Sequence, residues 1–318
     1  MNIETANDTA GKVVAELAKA LVGQDEAIEQ AVVALFAGGH ALLEGVPGTG
    51  KTLLARTLSC VTGTSFHRIQ FTPDLMPSDI TGVNIYDMAI KKFDFRKGPI
   101  FCDVLLADEI NRAPAKTQAA LLEAMQERQA TVDGTSYPMS PVFTVFATQN
   151  PVEFEGTYPL PEAQVDRFMM KIIVKYPPET AEQQILDKVE NGFDSSNLDT
   201  IDIQKILDLE KLINIRELTK KVHVEEVVRR YITQIVRATR TKPLITLGAS
   251  PRAGVMLMCA AKARALVTGR DFVTPDDVKA MAPPVLRHRI LLVPEAEVEG
   301  KTTDDCIKDI LLTIDVPR

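Results

Sequence analysis

The chain has 318 residues, 45% of them hydrophobic and 25% charged, the balance of a folded protein with enough length for two domains. Its 36 lysines and arginines against 43 aspartates and glutamates leave a net charge of −7, which excludes a global basic field for nucleic acid or an anionic membrane. The four cysteines, Cys60, Cys102, Cys259 and Cys306, never reach Cys-x-x-Cys spacing and the four histidines do not cluster, so free thiols in a reducing cytoplasm are expected and a zinc site is not.

Met1 to Ala10 is polar without a basic opening, so no secretory signal is expected. The longest apolar run, Ala31 to Leu43, is interrupted by Gly38, Gly39 and His40 and is too short to span a bilayer. From Val13 to Ala37 apolar residues recur at helical spacing in two pieces, separated by Leu21-Val22-Gly23-Gln24-Asp25.

Next, His40-Ala41-Leu42-Leu43-Glu44 reads as a strand and Leu53-Leu54-Ala55-Arg56-Thr57-Leu58 as a helix opening. Between them Gly45-Val46-Pro47-Gly48-Thr49-Gly50-Lys51-Thr52 matches Gly-x4-Gly-Lys-Ser/Thr at every fixed position. In that context the loop N–H groups and the helix N-terminus converge on one anion, a nucleoside triphosphate. The glycines let the backbone curl round phosphates, Lys51 reaches their oxygens, and the Thr52 hydroxyl can ligate Mg²⁺.

Ser65 to Phe71 alternates as a second strand, and Thr72 to Gly82, with Pro73 and Pro77, reads as an irregular loop or capped turn. Val83 to Asp87 and Phe93 to Arg96 form a small hairpin. Asp103-Val104-Leu105-Leu106-Ala107-Asp108-Glu109 is a continuous apolar run ending in two acids, the pattern of a buried parallel strand delivering charge to a ligand crevice. Asp108 suits the oxygen-rich shell of Mg²⁺, and Glu109 can act as general base on an attacking water.

Pro114 to Arg128 is an amphipathic helix, and Ala130 to Tyr137 a second hairpin turning at Asp133-Gly134. The strand Pro141 to Ala147 ends at Thr148-Gln149-Asn150, where an amide can sense phosphate or water. Met169 to Lys175 gives a fifth strand, stopped by Tyr176-Pro177-Pro178 at a domain boundary. Beyond it the chain reads as all helical. Thr180 to Val189 is a helix, Asn191 to Asn197 a polar linker, and Ile203 to Ile213 a helix. Val224, Val227, Val228, Tyr231, Ile232, Ile235 and Val236 then stripe a long helix supported by Glu225–Arg229 and Glu226–Arg230 pairs. Ser250-Pro251 caps the next, with Arg252 opposing its dipole as a candidate phosphate ligand. Thr274-Pro275 opens another short helix that Pro283-Pro284 ends.

The order of five strands, phosphate loop, strand-end Asp-Glu and helical third resembles an AAA+ ATPase. Three blocks, Arg68 to Gly82, Leu106 to Glu127 and Ala147 to Phe168, narrow the resemblance to the MoxR family, over about nine tenths of the chain. The resemblance implies an α/β fold: an AAA+ αβα domain with a five-stranded parallel sheet at 1–177, hairpin inserts near 83–96 and 130–138, and an all-helical lid at 178–318.

Val22, Gly23 and Gln24 match the segment around the adenine. The loop Gly45 to Thr52 with Leu53, and Asp108, match the ATP and Mg²⁺ positions. Glu109 matches the base, Asn150 sensor 1, Arg167 the arginine finger offered to a neighbouring subunit, and Arg252 sensor 2 on the lid. The family implies a homo-oligomeric ring, expected to hold six subunits, with chaperone-like action on partners such as von Willebrand factor A-domain proteins, often in metal or cofactor insertion. Both hairpins would face the pore. Two rivals are a nucleic-acid motor, opposed by the acidic balance and the lack of tryptophan, and a nucleotide-gated binding module with little hydrolysis. No Asn-Lys-x-Asp segment for guanine is present.

Overall fold

The computed structural model describes residues 2–89, 91–149, 158–195, 197 and 202–317. Helix α1 (Ile3–Ala20) begins earlier than the apolar spacing suggested, because the Asn2 side chain accepts from the Thr5 N–H at 2.8 Å and caps it. It is separated from α2 (Asp25–Ala37) by a break at Gly23, whose φ of +72° few other residues adopt.

The core sheet comprises β1 (Ala41–Glu44), β2 (Phe66–Gln70), β5 (Val104–Asp108), β8 (Thr144–Gln149) and β9 (Met170–Ile173), in the order β2-β5-β8-β1-β9 and parallel throughout. Alternate side chains leave it in opposite directions. Leu43, Leu106 and Phe146 join the core under α1, α2 and α3 (Lys51–Thr62), while Leu42, Leu105 and Val145 join a second core under α5 (Ala115–Glu127). Burial on both faces explains why these strands read as unbroken apolar runs.

Between β2 and β5 lie the one-turn α4 (Pro77–Thr81), its start tied by the Asp79 carboxylate accepting from the Met76 N–H at 2.8 Å, and the hairpin β3 (Gly82–Asp87) and β4 (Lys92–Lys97). A 3₁₀ turn at Ile110–Arg112 links β5 to α5. The second hairpin, β6 (Gln129–Val132) and β7 (Thr135–Pro138), turns at Asp133 and Gly134 with φ of +49° and +78°, as Asp-Gly chemistry requires. It stacks Tyr137 on Phe95 of β4, with centroids 3.8 Å apart, and Asp133 accepts from the Asn84 amide at 2.7 Å, so the two hairpins are joined side to side.

After the short α6 (Glu162–Val165) and β9, the C-terminal part holds α7 (Glu179–Glu190), α8 (Leu209–Lys221), α9 (Glu226–Ala238), α10 (Pro251–Val267), α11 (Pro275–Leu286), α12 (Pro294–Val298) and α13 (Thr303–Thr313). Besides these helices it carries a two-stranded antiparallel ribbon of β10 (Ile245–Leu247) and β11 (Leu291–Leu292), an addition to the all-helical expectation.

Three other expectations are corrected. The helix expected at Ile203–Ile213 begins only at Leu209, where Asp208 accepts from the Lys211 N–H; before it, Ile206 and Leu207 run without helix, their N–H groups both bonded to the Val61 carbonyl. The proline pair does not end α11 but occupies its last turn, where the two missing N–H groups cost little helix beyond them. In α9, Val227 is half exposed and Val224 precedes the helix; the Glu226–Arg230 pair forms at 2.6 Å, whereas Glu225 faces His223 at 3.2 Å.

One apolar cluster runs from α1 and α2 into α10 and α11, so the helical part packs directly on one side of the sheet. Buried arginines stitch the two together. Arg216 of α8 donates to the Leu35 carbonyl and the Thr144 hydroxyl, and Arg289 donates to the Met169 carbonyl and the Asp166 carboxylate.

Candidate functional site: the cleft at the carboxyl ends of β1, β5 and β8

The carboxyl ends of β1, β5 and β8 lie at the same end of the parallel sheet, in which β1 separates β8 from β9. Parallel α/β sheets bind ligands there. A cleft of about 900 Å³ lies at this end, lined by Val22, Gln24, Pro47, Gly48, Thr49, Gly50, Lys51, Thr52, Leu53, Asp108 and Glu109. These belong to three separated segments that the sequence reading placed together.

Its floor is the loop between β1 and α3. A side chain at Gly45 would place its Cβ 2.4 Å from the Val174 carbonyl, so only glycine fits where the loop crosses β9. Gly50, with φ of +88°, precedes α3 and offers no side chain to its first turn, which leaves those N–H groups facing the cleft uncapped. Lys51 Nζ donates to the Gly45 and Val46 carbonyls at 2.6 and 2.8 Å, curled into the loop. Burial lowers the Lys51 pKa, and the charges of Asp108 and Glu109 oppose that fall.

Asp108 and Glu109 emerge from β5. Asp108 is 9% exposed, with Oδ1 accepting from the Thr148 hydroxyl at 2.6 Å and Oδ2 accepting from Arg68 Nη2 at 2.6 Å and Nε at 3.0 Å. Glu109 sits in the left-handed region, with φ of +55°, held there by its N–H donating to the same Thr148 hydroxyl at 2.8 Å. Such a conformation is costly for a residue with a Cβ and aims the carboxylate away from the line of the strand. Its Oε2 accepts from the Gln70 amide at 2.7 Å and lies 3.3 Å from Arg112 Nε.

The three residues expected around an adenine divide in two. Val22 and Gln24 line the cleft, and Gln24 donates to the Lys175 carbonyl at 2.8 Å. Gly23 does not line it; it lets the segment pass under α7, where a Cβ would stand 2.6 Å from that of Ala181. Gly45 and Val46 likewise shape the floor from beneath. Asn150 lies outside the described residues.

Arg167 and Arg252 are not at this cleft. Arg167 Nη1 donates to the Leu122 carbonyl at 3.0 Å, and Arg252 lies 3.8 Å from the carboxylate of the preceding Asp166. Arg252 therefore lies near Arg167 in the fold, with Asp166 between them.

Sequence reasoning missed Arg68, Gln70, Thr148 and, on the helical side, Ile185, Val189 and Phe193, all lining the cleft or bonded to its acids. Arg68 and Gln70 carried a readable signal: they alternate on one side of a strand next to the strand bearing the acids. Phe193 to Ser195, within the stretch whose polar composition predicts a linker, lines the cleft.

Comparison with known proteins fits this geometry. The model of the ATPase family associated with various cellular activities (AAA) matches residues 40–170, and that of the AAA lid domain residues 237–310. The chain is 42% identical over 319 residues to Chaperone MoxR1 of Mycobacterium tuberculosis, covering 98% of this chain and 83% of that protein. It belongs to the MoxR family of AAA+ ATPases. Other relatives agree: protein MoxR of Methylorubrum extorquens is 32% identical over 98% of this chain and 96% of its own, and the uncharacterized protein YeaC of Bacillus subtilis is 44% identical over 99% and 97%. A crystal structure of a candidate ATPase from Cytophaga hutchinsonii superposes with a TM-score of 0.89 at 44% identity, covering 99% of this chain and 96% of that one. Among the described residues no helix is long and apolar enough to cross a membrane.

Proposed function

We propose that this MoxR-family chain hydrolyses ATP with Mg²⁺, and that a ring of its copies uses the reaction for chaperone-like remodelling of partner proteins in the cytoplasm. The observation that carries the reading is the convergence on one cleft of an uncapped helix start, an inward-curled lysine and two strand-end acids.

The residues present fit both groups. The glycine-built loop leaves space that side chains would fill, and the uncapped N–H groups of α3 await an anion. Gly48 to Thr52 would hold the phosphates, Lys51 neutralising them, while Val22, Gln24 and Phe193 would enclose the base. Thr52 and Asp108 would hold Mg²⁺, which supplies charge neutralisation at the phosphate oxygens. Glu109 would take the proton of the attacking water, held in place by its bond from Gln70 and by its fixed backbone. Asn150 would help to position that water.

Arg167 and Arg252 would complete the site of a neighbouring copy, since neither reaches the cleft of its own chain. A six-membered ring, von Willebrand factor A-domain partners and assistance in metal or cofactor insertion belong to the same reading. They rest on the family alone, as does the division into an αβα domain at 1–177 and a lid at 178–318.

The test compares two variants for binding of a fluorescent ATP analogue and for phosphate release. Lys51→Ala should lose binding. Glu109→Gln should bind like the parent and turn over about 10²–10⁴-fold more slowly, the usual contribution of a general base. Equal turnover by Glu109→Gln and the parent would remove Glu109 from the chemistry and leave the chain a nucleotide-gated binder.

A further inference from the structure

Both oxygens of the Asp108 carboxylate are already engaged. Thr148 donates to Oδ1, and the Arg68 guanidinium donates twice to Oδ2. Arg68 comes from β2, where it pairs in register with Leu106, two residues before the acid, so its side chain runs along the sheet to the strand end. Its Nη2 also donates to Gln70 Oε1 at 2.8 Å, and Gln70 donates onward to Glu109. A carboxylate as enclosed as Asp108 needs a cation, and Arg68 supplies it. Burial differs between the partners: the Arg68 side chain is 49% exposed and that of Asp108 12%, so the arginine can leave while the acid stays.

We propose that Arg68 is a stand-in cation, which neutralises Asp108 while the cleft lacks metal and competes with Mg²⁺ for the same carboxylate oxygen. The proposal rests on reading the cleft as a Mg²⁺–nucleotide site and goes beyond it by assigning a residue to the metal-free state. Its consequence is a linkage. With Arg68 in place, a metal-free triphosphate meets a neutralised acid and can bind, while Mg²⁺ must displace a guanidinium and binds with reduced apparent affinity. Without Arg68, a metal-free triphosphate meets a bare carboxylate, and Mg²⁺ enters without competition.

The experiment measures the dissociation constant of a fluorescent ATP analogue with EDTA and with millimolar MgCl₂, and takes their ratio. Arg68→Ala should raise the EDTA-to-Mg²⁺ ratio about tenfold or more, the scale of one partly solvated charge interaction. Arg68→Lys should fall between parent and Arg68→Ala, and Arg68→Gln, which keeps most of the side chain, serves if the alanine variant does not fold. In an Asp108→Asn background, loss of Arg68 should no longer change the ratio.

An unchanged ratio, or equal weakening under both conditions, overturns the proposal, since the first leaves Arg68 structural and the second makes it a plain phosphate contact. A persistent effect in the Asp108→Asn background overturns it as well. Failure of the underlying site reading is separately visible, because the parent itself would then bind no more analogue than Lys51→Ala.

Discussion

Lys51 is pulled in two directions: burial disfavours its charge, and Asp108 and Glu109 favour it. Burial prevails, so the lysine titrates below the usual range for its kind. Nucleotide affinity should therefore fall on the alkaline side earlier than for an exposed lysine, because binding needs the protonated form. Replacing Glu109 with Gln removes one of the opposing charges and should move that loss to still lower pH. Titration of analogue binding from neutral to alkaline pH checks both; a Glu109→Gln profile displaced upward would contradict the charge assignment. Lys51 and its loop were legible because their residues are contiguous, and so was the pair Asp108-Glu109. Arg68, Thr148 and Phe193 were not, because strand pairing and the packing of α7 against the loop, rather than sequence spacing, bring them to the same cleft.

Among the elements, the start of β1 carries a histidine that takes a second proton only far below the ordinary range. His40 Nδ1 accepts from the Val145 N–H at 2.9 Å, so Nε2 carries the proton and donates to the Met125 carbonyl at 3.2 Å. Burial first, and then the charge of Arg128, push its pKa from 6.5 to about 3. Above the ordinary value the ring is neutral in both folded and unfolded chains and pH has no leverage through it. As pH falls from 6.5 towards about 3 the unfolded chain gains a proton that the folded one refuses, and stability should drop by up to about 1.4 kcal/mol per pH unit. The buried His288, also held well below 6.5, acts in the same direction. Thermal melts of the parent and His40→Asn through this acid range check the effect. The variant should show a shallower acid decline, and equal slopes would rule out His40 as its source.

Element types were mostly readable from periodicity, whereas boundaries failed where tertiary contact overrode local pattern. Ile203, Ile206 and Leu207 have helix-like spacing, but backbone bonds to Val61 hold Ile206 and Leu207 against the end of α3, and a helix starts only where Asp208 can cap it. The ribbon of β10 and β11 joins segments more than forty residues apart, at 245–247 and 291–292, so no local alternation announced it.

For the whole molecule, the separation of Arg167 from its own cleft makes a clear prediction about assembly. Arg167→Ala and Glu109→Gln should each be nearly inactive alone, since an arginine finger contributes about 10³–10⁵ in rate. Mixed before assembly, they should recover part of the parental turnover, because a subunit with Glu109 can then border one with Arg167. Absence of recovery in verified mixed assemblies would place Arg167 outside the neighbouring site.

Asp166 stands one peptide bond before Arg167 and is gripped by Arg289 and faced by Arg252, both carried by the helical part that also walls the cleft through α7. Asp166 is thus a contact point between the helical part and the residue next to Arg167. If copies assemble with Arg167 at a neighbour's cleft, this ion-pair node would act like an escapement, the seating of one copy's helical part bearing on the arginine offered to the next.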